Sequence, residues 1–306
     1  EAGVSGRAFA AKVMRRNDSY IQYTSDAKKE GDLLQRLERA QKERGADVLT
    51  MRCFDSFPCR DDAGTEYWCL ILEWLDASLF DVVRANGRRG LHLSMVRVLL
   101  RQLLEQLSAL QELECTHTDI KHKNCCLADT EYYLAPGDGS IILANPVAKF
   151  IDYGNAVFEG EAKTHPIHTK QFRAPEVLLN IAQGWGPASD TWTLGITAAF
   201  LVSGDLLFNS HEPPALVRGM VEALGPFPPE LLQAAKDTRL RRMAEGAEGS
   251  APQLGARLGL AGARPESPEA WCLDLLARML APWPGHRISA AEALRHPFVA
   301  LEEPPL

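Results

Sequence analysis

The apolar positions follow two rhythms. Phe9 to Met14 is a short apolar run interrupted by Lys12, and it predicts a strand with the lysine on one face. From Ser25 to Ala40 the spacing turns helical, with Ala27, Glu30, Leu33, Leu34 and Leu37 on one side. Glu30 is out of place on that stripe. An exposed carboxylate at its edge is the plain reading, but its inward position shortly after a strand lysine favours an ion pair. Tyr67 to Trp74 is apolar apart from Glu73 and predicts a buried strand running into a connector. Leu91 to Leu113 predicts a long amphipathic helix, and Val147 to Ile151 a strand that delivers Asp152. Val177 to Ile181 starts a helical region. Asp190-Thr191-Trp192-Thr193-Leu194-Gly195 opens a buried helix, whose apolar part from Leu194 to Val202 is far too short to span a bilayer. Pro226, Pro228 and Pro229 begin a weaker stretch, and Met243 to Pro268, rich in Ala, Gly and Pro, reads as a loop-rich insert. Helical pattern resumes at Trp271 to Leu280 and again at Ala290 to Leu294. There is no internal repeat.

Composition narrows this picture only slightly. A chain of 306 residues holds one large domain or two lobes, and 46% hydrophobic with 24% charged residues is ordinary for a globular protein. The net charge of -7 disfavours nucleic acid and anionic membranes and suits a basic protein substrate. No secretory signal is visible. Seven cysteines, an odd number without small-domain spacing, predict a reducing, intracellular compartment. His165 and His168 lack the Cys-x-x-Cys pair that would complete a zinc site.

Candidate chemistry is concentrated in His117-Thr118-Asp119-Ile120-Lys121-His122-Lys123-Asn124 and, downstream, Asp152-Tyr153-Gly154. Phosphoryl transfer from Mg-ATP needs such a set: a carboxylate to orient the attacking hydroxyl, a cation for the moving group, and an amide and a second carboxylate for the metal. With Phe9-Ala10-Ala11-Lys12, Glu30 and Ala174-Pro175-Glu176, the chain resembles the eukaryotic protein kinases over nearly its whole length. The resemblance implies an α+β, bilobal fold, with an N-terminal lobe over 1–75 and a C-terminal lobe over 76–306. The activation segment would span 152–176 and the insert about 225–268.

The same resemblance assigns roles. Asp119 and Lys121 would be catalytic, Asn124 and Asp152 would hold Mg²⁺, and Lys12, paired with Glu30, would hold the α- and β-phosphates of ATP. Adenine would lie against Ala10, Cys126 and the connector Glu73-Trp74-Leu75, with Leu72 behind it. Gly154, Thr169, Arg173, Glu176, Asp190 and Arg287 would build the activation segment and its supports, Arg287 pairing with Glu176 and Asp190 bracing the catalytic loop. Thr169 would hydrogen-bond Asp119 and Lys121. Within the CMGC group, His-Thr-Asp-Ile-Lys and Asp152-Tyr153-Gly154-Asn155-Ala156 are similar to the SR-protein kinases. Thr169 to Val177 and Leu207 to Glu212 are similar to the LAMMER, or CDC-like, kinases. The implied activity is Ser/Thr phosphorylation, dual specificity included, by a monomer acting on protein substrates such as Arg/Ser-rich splicing factors in the nucleus or cytoplasm.

Several departures mark this chain. Thr118 replaces the arginine that usually binds an activation-segment phosphate, so activity is expected without phosphates on Thr164 or Thr169. His122 replaces a common proline, with an expected effect on loop stiffness. Tyr153 adds a hydroxyl in need of a partner to the usual phenylalanine. Only eleven residues precede Lys12, too few for the Gly-rich loop and its two strands, and Gly3 to Gly6 reads as a turn into the lysine strand. On that ground a binding or scaffold module stands as the alternative to an enzyme.

Overall fold

The structure is a computed structural model that describes residues 8–15, 21–43, 50–136, 139–161, 166–246 and 252–301. The Gly3–Gly6 turn, Thr164 and His165 lie outside the described residues, as does the side chain of Ala27. Strand β1 (Phe9–Arg15) carries the lysine as expected. Helix α1 (Ile21–Glu43) is longer than the stripe that predicted it. Next come β2 (Cys53–Arg60) and β3 (Glu66–Glu73), and the three strands form an antiparallel sheet in the order β1-β3-β2. Leu33, Leu34 and Leu37 bury the inner face of α1. Gly31 lets that helix come close, since a Cβ there would stand 2.7 Å from the Ser56 hydroxyl. The sequence pattern missed β2. Its exposure follows no period of two, and Pro58 sits within it, which an edge strand tolerates.

Past Glu73 the chain makes β4 (Ala77–Ser78) and α2 (Leu79–Ala85), started by a reciprocal cap between Ser78 and Asp81. Helix α3 (Leu93–Glu112) buries Val96, Leu99, Leu100, Leu103, Leu104, Leu107 and Leu110, each leucine contributing about 1.5–3 kcal/mol. Six short strands follow: β5 (Cys115–Thr116), β6 (Cys125–Leu127), β7 (Tyr132–Leu134), β8 (Ile141–Leu143), β9 (Ala148–Phe150) and β10 (Val157–Phe158). They pair as β4-β6-β9, β5-β10 and β7-β8. Buried Gln106 of α3 fixes β9 by donating to Ala148 O and accepting from Phe150 N.

The remainder is helical: α4 (Pro175–Leu178), α5 (Ala188–Ser203), α6 (Pro213–Leu224), α7 (Pro229–Ala234), α8 (Thr238–Glu245), α9 (Leu254–Arg257), α10 (Pro268–Met279), α11 (Ala290–Ala293) and α12 (Pro297–Ala300). Nearly all of α5 is buried, as its apolar run predicts. The helical region expected from Val177 is the single turn of α4, after which Ile181 bridges to Ala235. The loop-rich insert holds α7, α8 and α9, each too short to show a helical period, anchored through Leu231, Leu240 and Leu254. A β-rich first part and a helical second part make the expected bilobal α+β fold.

Candidate active site

The loop from His117 to Asn124 hangs from one buried carboxylate. Asp190, in the first turn of α5, accepts from His117 N at 2.5 Å and Thr118 N at 3.0 Å. Burial pushes Asp190 up to about 7, against the pull of those two N–H groups. Thr118 is held in the left-handed region at φ 73°, a strained place for a β-branched residue. Its hydroxyl donates to Asn155 O at 3.0 Å. His117 accepts from Asp119 N on Nδ1 at 3.3 Å, so Nε2 carries the proton toward Ile151 O at 3.1 Å. Burial holds its pKa down to about 4, so the ring is neutral.

The Asp119 carboxylate is gripped on both oxygens. Oδ2 accepts from Lys121 Nζ at 2.6 Å and Asn124 Nδ2 at 3.0 Å, and Oδ1 accepts from the Thr169 hydroxyl at 2.8 Å. Thr169 Oγ1 in turn accepts from Lys121 Nζ at 2.9 Å. The second carboxylate is tied to the same loop, because Ile151, just before Asp152, donates its N–H to Asn124 O at 2.9 Å. Asp152 has φ 65° and takes Lys12 Nζ on Oδ1 at 2.7 Å. Lys12 also reaches buried Glu30 at 2.7 Å, and Glu30 accepts from Tyr153 N at 3.0 Å. Burial would lower the lysine's pKa, but Glu30 and the hydrogen bonds to Asp152 and Glu30 outweigh it and raise it. The lysine is therefore the charged partner of this group. Asp152, despite burial, is held below the usual carboxylate range by Lys12. A Cβ on Gly154 would meet Glu30, Lys12 and Asp152 at 3.4–3.8 Å, so glycine keeps this cradle open.

The activation segment is anchored at its far end. Arg173 donates to Ile167 O and His168 O, and His168 N donates to Thr118 O. Glu176 and Arg287 form a fully buried bidentate ion pair, the guanidinium donating at 2.8 and 2.7 Å, with Ser189 donating to the same carboxylate. The imidazole of His168 accepts from Ala174 N, and its Nε2 lies 4.0 Å from Asp190. Sequence reasoning gave His168 no role here, since only the turn geometry at φ 70° brings it inward.

Around the connector, Ala10 stands opposite Leu72 in the β1–β3 register, Leu75 is half-buried, and Cys126 is buried on β6. Glu73 turns its carboxylate back onto Lys149 of β9 at 2.7 and 2.9 Å, and Lys149 also donates to Thr50 O. What Glu73 offers beside the connector is therefore backbone. Lys149 is a buried residue that the sequence pattern does not reveal, because its partner comes from another sheet.

Residues 3–299 match the protein kinase domain. The chain belongs to the protein kinase family. This kinase is 32% identical to serine/threonine-protein kinase AFC1 of Arabidopsis thaliana, over 94% of its own length and 64% of that protein's. It is 27% identical to the human dual specificity protein kinase CLK1, over 97% of its length and 61% of CLK1. It thus spans a little under two thirds of these two relatives. A crystal structure of a kinase domain superposes with a TM-score of 0.77 at 27% identity, covering 97% of this chain and 89% of that one. These likenesses support the resemblance to the LAMMER/CDC-like kinases of the CMGC group.

Two departures take on a different meaning in three dimensions. His122 packs its ring against Phe80, Phe172 and Phe200 at 4.5–5.2 Å, and burial holds it down to about 4. It packs the loop against α2, the activation segment and α5. The Tyr153 ring is buried 4.7 Å from that of His117, yet its hydroxyl finds no hydrogen-bond partner among the described residues.

Proposed function

We propose that this kinase transfers the γ-phosphoryl group of Mg-ATP to Ser or Thr hydroxyls of protein substrates. The observation that carries this reading is the Asp119 carboxylate, held on both oxygens by Lys121, Asn124 and Thr169. Asp119 would orient the attacking hydroxyl and accept its proton, and Lys121 would neutralise charge on the moving group. Lys12, fixed by Glu30, would hold the α- and β-phosphates, and Ala10, Leu75, Cys126 and the backbone at Glu73 would frame adenine. Asn124 spends its amide nitrogen on Asp119, so its carbonyl oxygen would be the atom offered to a cation, with Asp152, whose side chain is 43% exposed, as the second ligand. That oxygen pair suits a hard divalent cation such as Mg²⁺, which when bound would neutralise the phosphate oxygens.

The arginine absent at position 118 supports a segment that needs no phosphate. Thr118 is already joined to Asn155 and His168, and Arg173 and Glu176 hold the rest. Lobes divided at 1–75 and 76–306, a segment over 152–176 and an insert over about 225–268 are consistent with this reading. The likeness to a serine/threonine and a dual specificity protein kinase supports protein substrates, and the net charge of -7 suits basic ones; Arg/Ser-rich proteins, met by a monomer in the nucleus or cytoplasm, are part of the same proposal. No helix among the described residues is long and apolar enough to cross a membrane.

The test is transfer of labelled phosphate from Mg-ATP to an Arg/Ser-rich peptide. Asp119→Asn should lower the rate by about 10²–10⁴-fold. Equal transfer by both proteins would sink the assignment of Asp119, and transfer by neither would favour a scaffold. Phosphatase treatment of the active protein should leave its rate largely intact, whereas collapse of the rate would show that the segment depends on phosphate.

A further inference from the structure

Of the seven cysteines, all free thiols, Cys59 alone is not buried. It lies on the edge strand β2, open to small reagents in solution. Its sulfur stands 3.0 Å from that of Cys69 on the central strand β3. The register explains the contact. Phe57 lies opposite Cys69 and Cys59 opposite Tyr67, so the two cysteines share one face as a diagonal pair. That face is turned away from α1, which meets Leu70 and Ser56 on the other side.

We propose that Cys59 and Cys69 form a peroxide-oxidisable dithiol, a modification site in the N-terminal lobe distinct from the phosphoryl-transfer machinery. The exposed member meets the oxidant first. Its thiolate attacks one oxygen of hydrogen peroxide, the O–O bond breaks, and Cys59 becomes a sulfenic acid with release of hydroxide, which takes up a proton as water. Cys69 then attacks the Cys59 sulfur, the S–O bond breaks, and the thiol proton leaves with the departing hydroxide as a second water. Two thiols and one peroxide give one disulfide and two waters. Burial, with the hydrogen bond to Cys59, pushes Cys69 up to about 11, which keeps it a protonated thiol until its neighbour is activated. In a reducing compartment such a bridge is transient, because general thiols reduce it back to the dithiol and are themselves oxidised. While it lasts, it fastens the edge strand to the strand that leads into Glu73.

The experiment treats the full reduced chain with hydrogen peroxide, removes the peroxide, blocks remaining thiols with N-ethylmaleimide in denaturant and maps the peptides. The expected product is a Cys59–Cys69 cross-link, lighter by two hydrogens and reversed by dithiothreitol, with the other five cysteines alkylated. In Cys69→Ala the Cys59 sulfenic acid should persist and be trapped by dimedone several-fold more than in the parent. In Cys59→Ser, a milder change at the edge, Cys69 should stay reduced. The proposal fails if Cys59 goes on to sulfinic acid while Cys69 remains alkylatable. It also fails if both thiols survive the treatment, or if Cys69 is oxidised without Cys59.

Discussion

Two ion pairs, one in each lobe, are built from the same charges to opposite ends. Arg287 and Glu176 are both wholly out of water, and every guanidinium N–H is used, on Glu176 and on the carbonyls of Ala188, Ala281 and Pro282. Lys12 keeps 31% of its side chain exposed and divides itself between Glu30 and Asp152. The first pair is complete in itself. The second holds charge on a face that a phosphate would meet. Saturation suits a part that secures the fold, and a shared, half-open cation suits the phosphate-holding role proposed for Lys12.

The contrast is sharpest where it would break. Arg287→Ala strands Glu176 in an apolar interior and should lower stability by about 3–5 kcal/mol in urea titration. A loss under about 1 kcal/mol would put the buried pair on a level with a surface one. Lys12→Met should behave in reverse: transfer falls by about 10²–10³-fold while the urea midpoint barely moves. Glu30 escapes Glu176's fate because burial raises its pKa, favouring the neutral form, and Tyr153 N still donates to it. A large stability loss in Lys12→Met would erase the distinction. The smallest effect tests saturation from the other direction. Tyr153→Phe removes the buried hydroxyl without a partner and should stabilise the protein by about 1 kcal/mol. Destabilisation would mean that the hydroxyl has found a partner, an ordered water included.

These parts were unequally legible in the sequence. Asp119, Lys121, Asn124, Asp152, Glu176 and Arg287 stand in a fixed order that resembles the kinase pattern, and the structure joins Asp119 to Lys121 and Asn124, Asp152 to Lys12, and Glu176 to Arg287. Glu30 stood out because a carboxylate on an apolar stripe requires a cation. Strand β2 went unseen because its exposure follows no period of two, which leaves no alternation to read. Lys149 was invisible because its partner Glu73 lies 76 residues away in another sheet, and no local period encodes that meeting. The same holds for His122, whose role came from Phe80, Phe172 and Phe200 closing around it.

The Glu176–Arg287 pair spans 111 residues of chain. At about 5–20 residues per second of synthesis, the arginine emerges roughly 5–20 s after its partner. Glu176 spends that time in water, and the end of the activation segment has nothing to close upon. The latch is thus set late. A contact absent from the folding nucleus scarcely hastens folding but slows escape from the finished state, so a latch set this late should govern how long the kinase lasts more than how fast it forms.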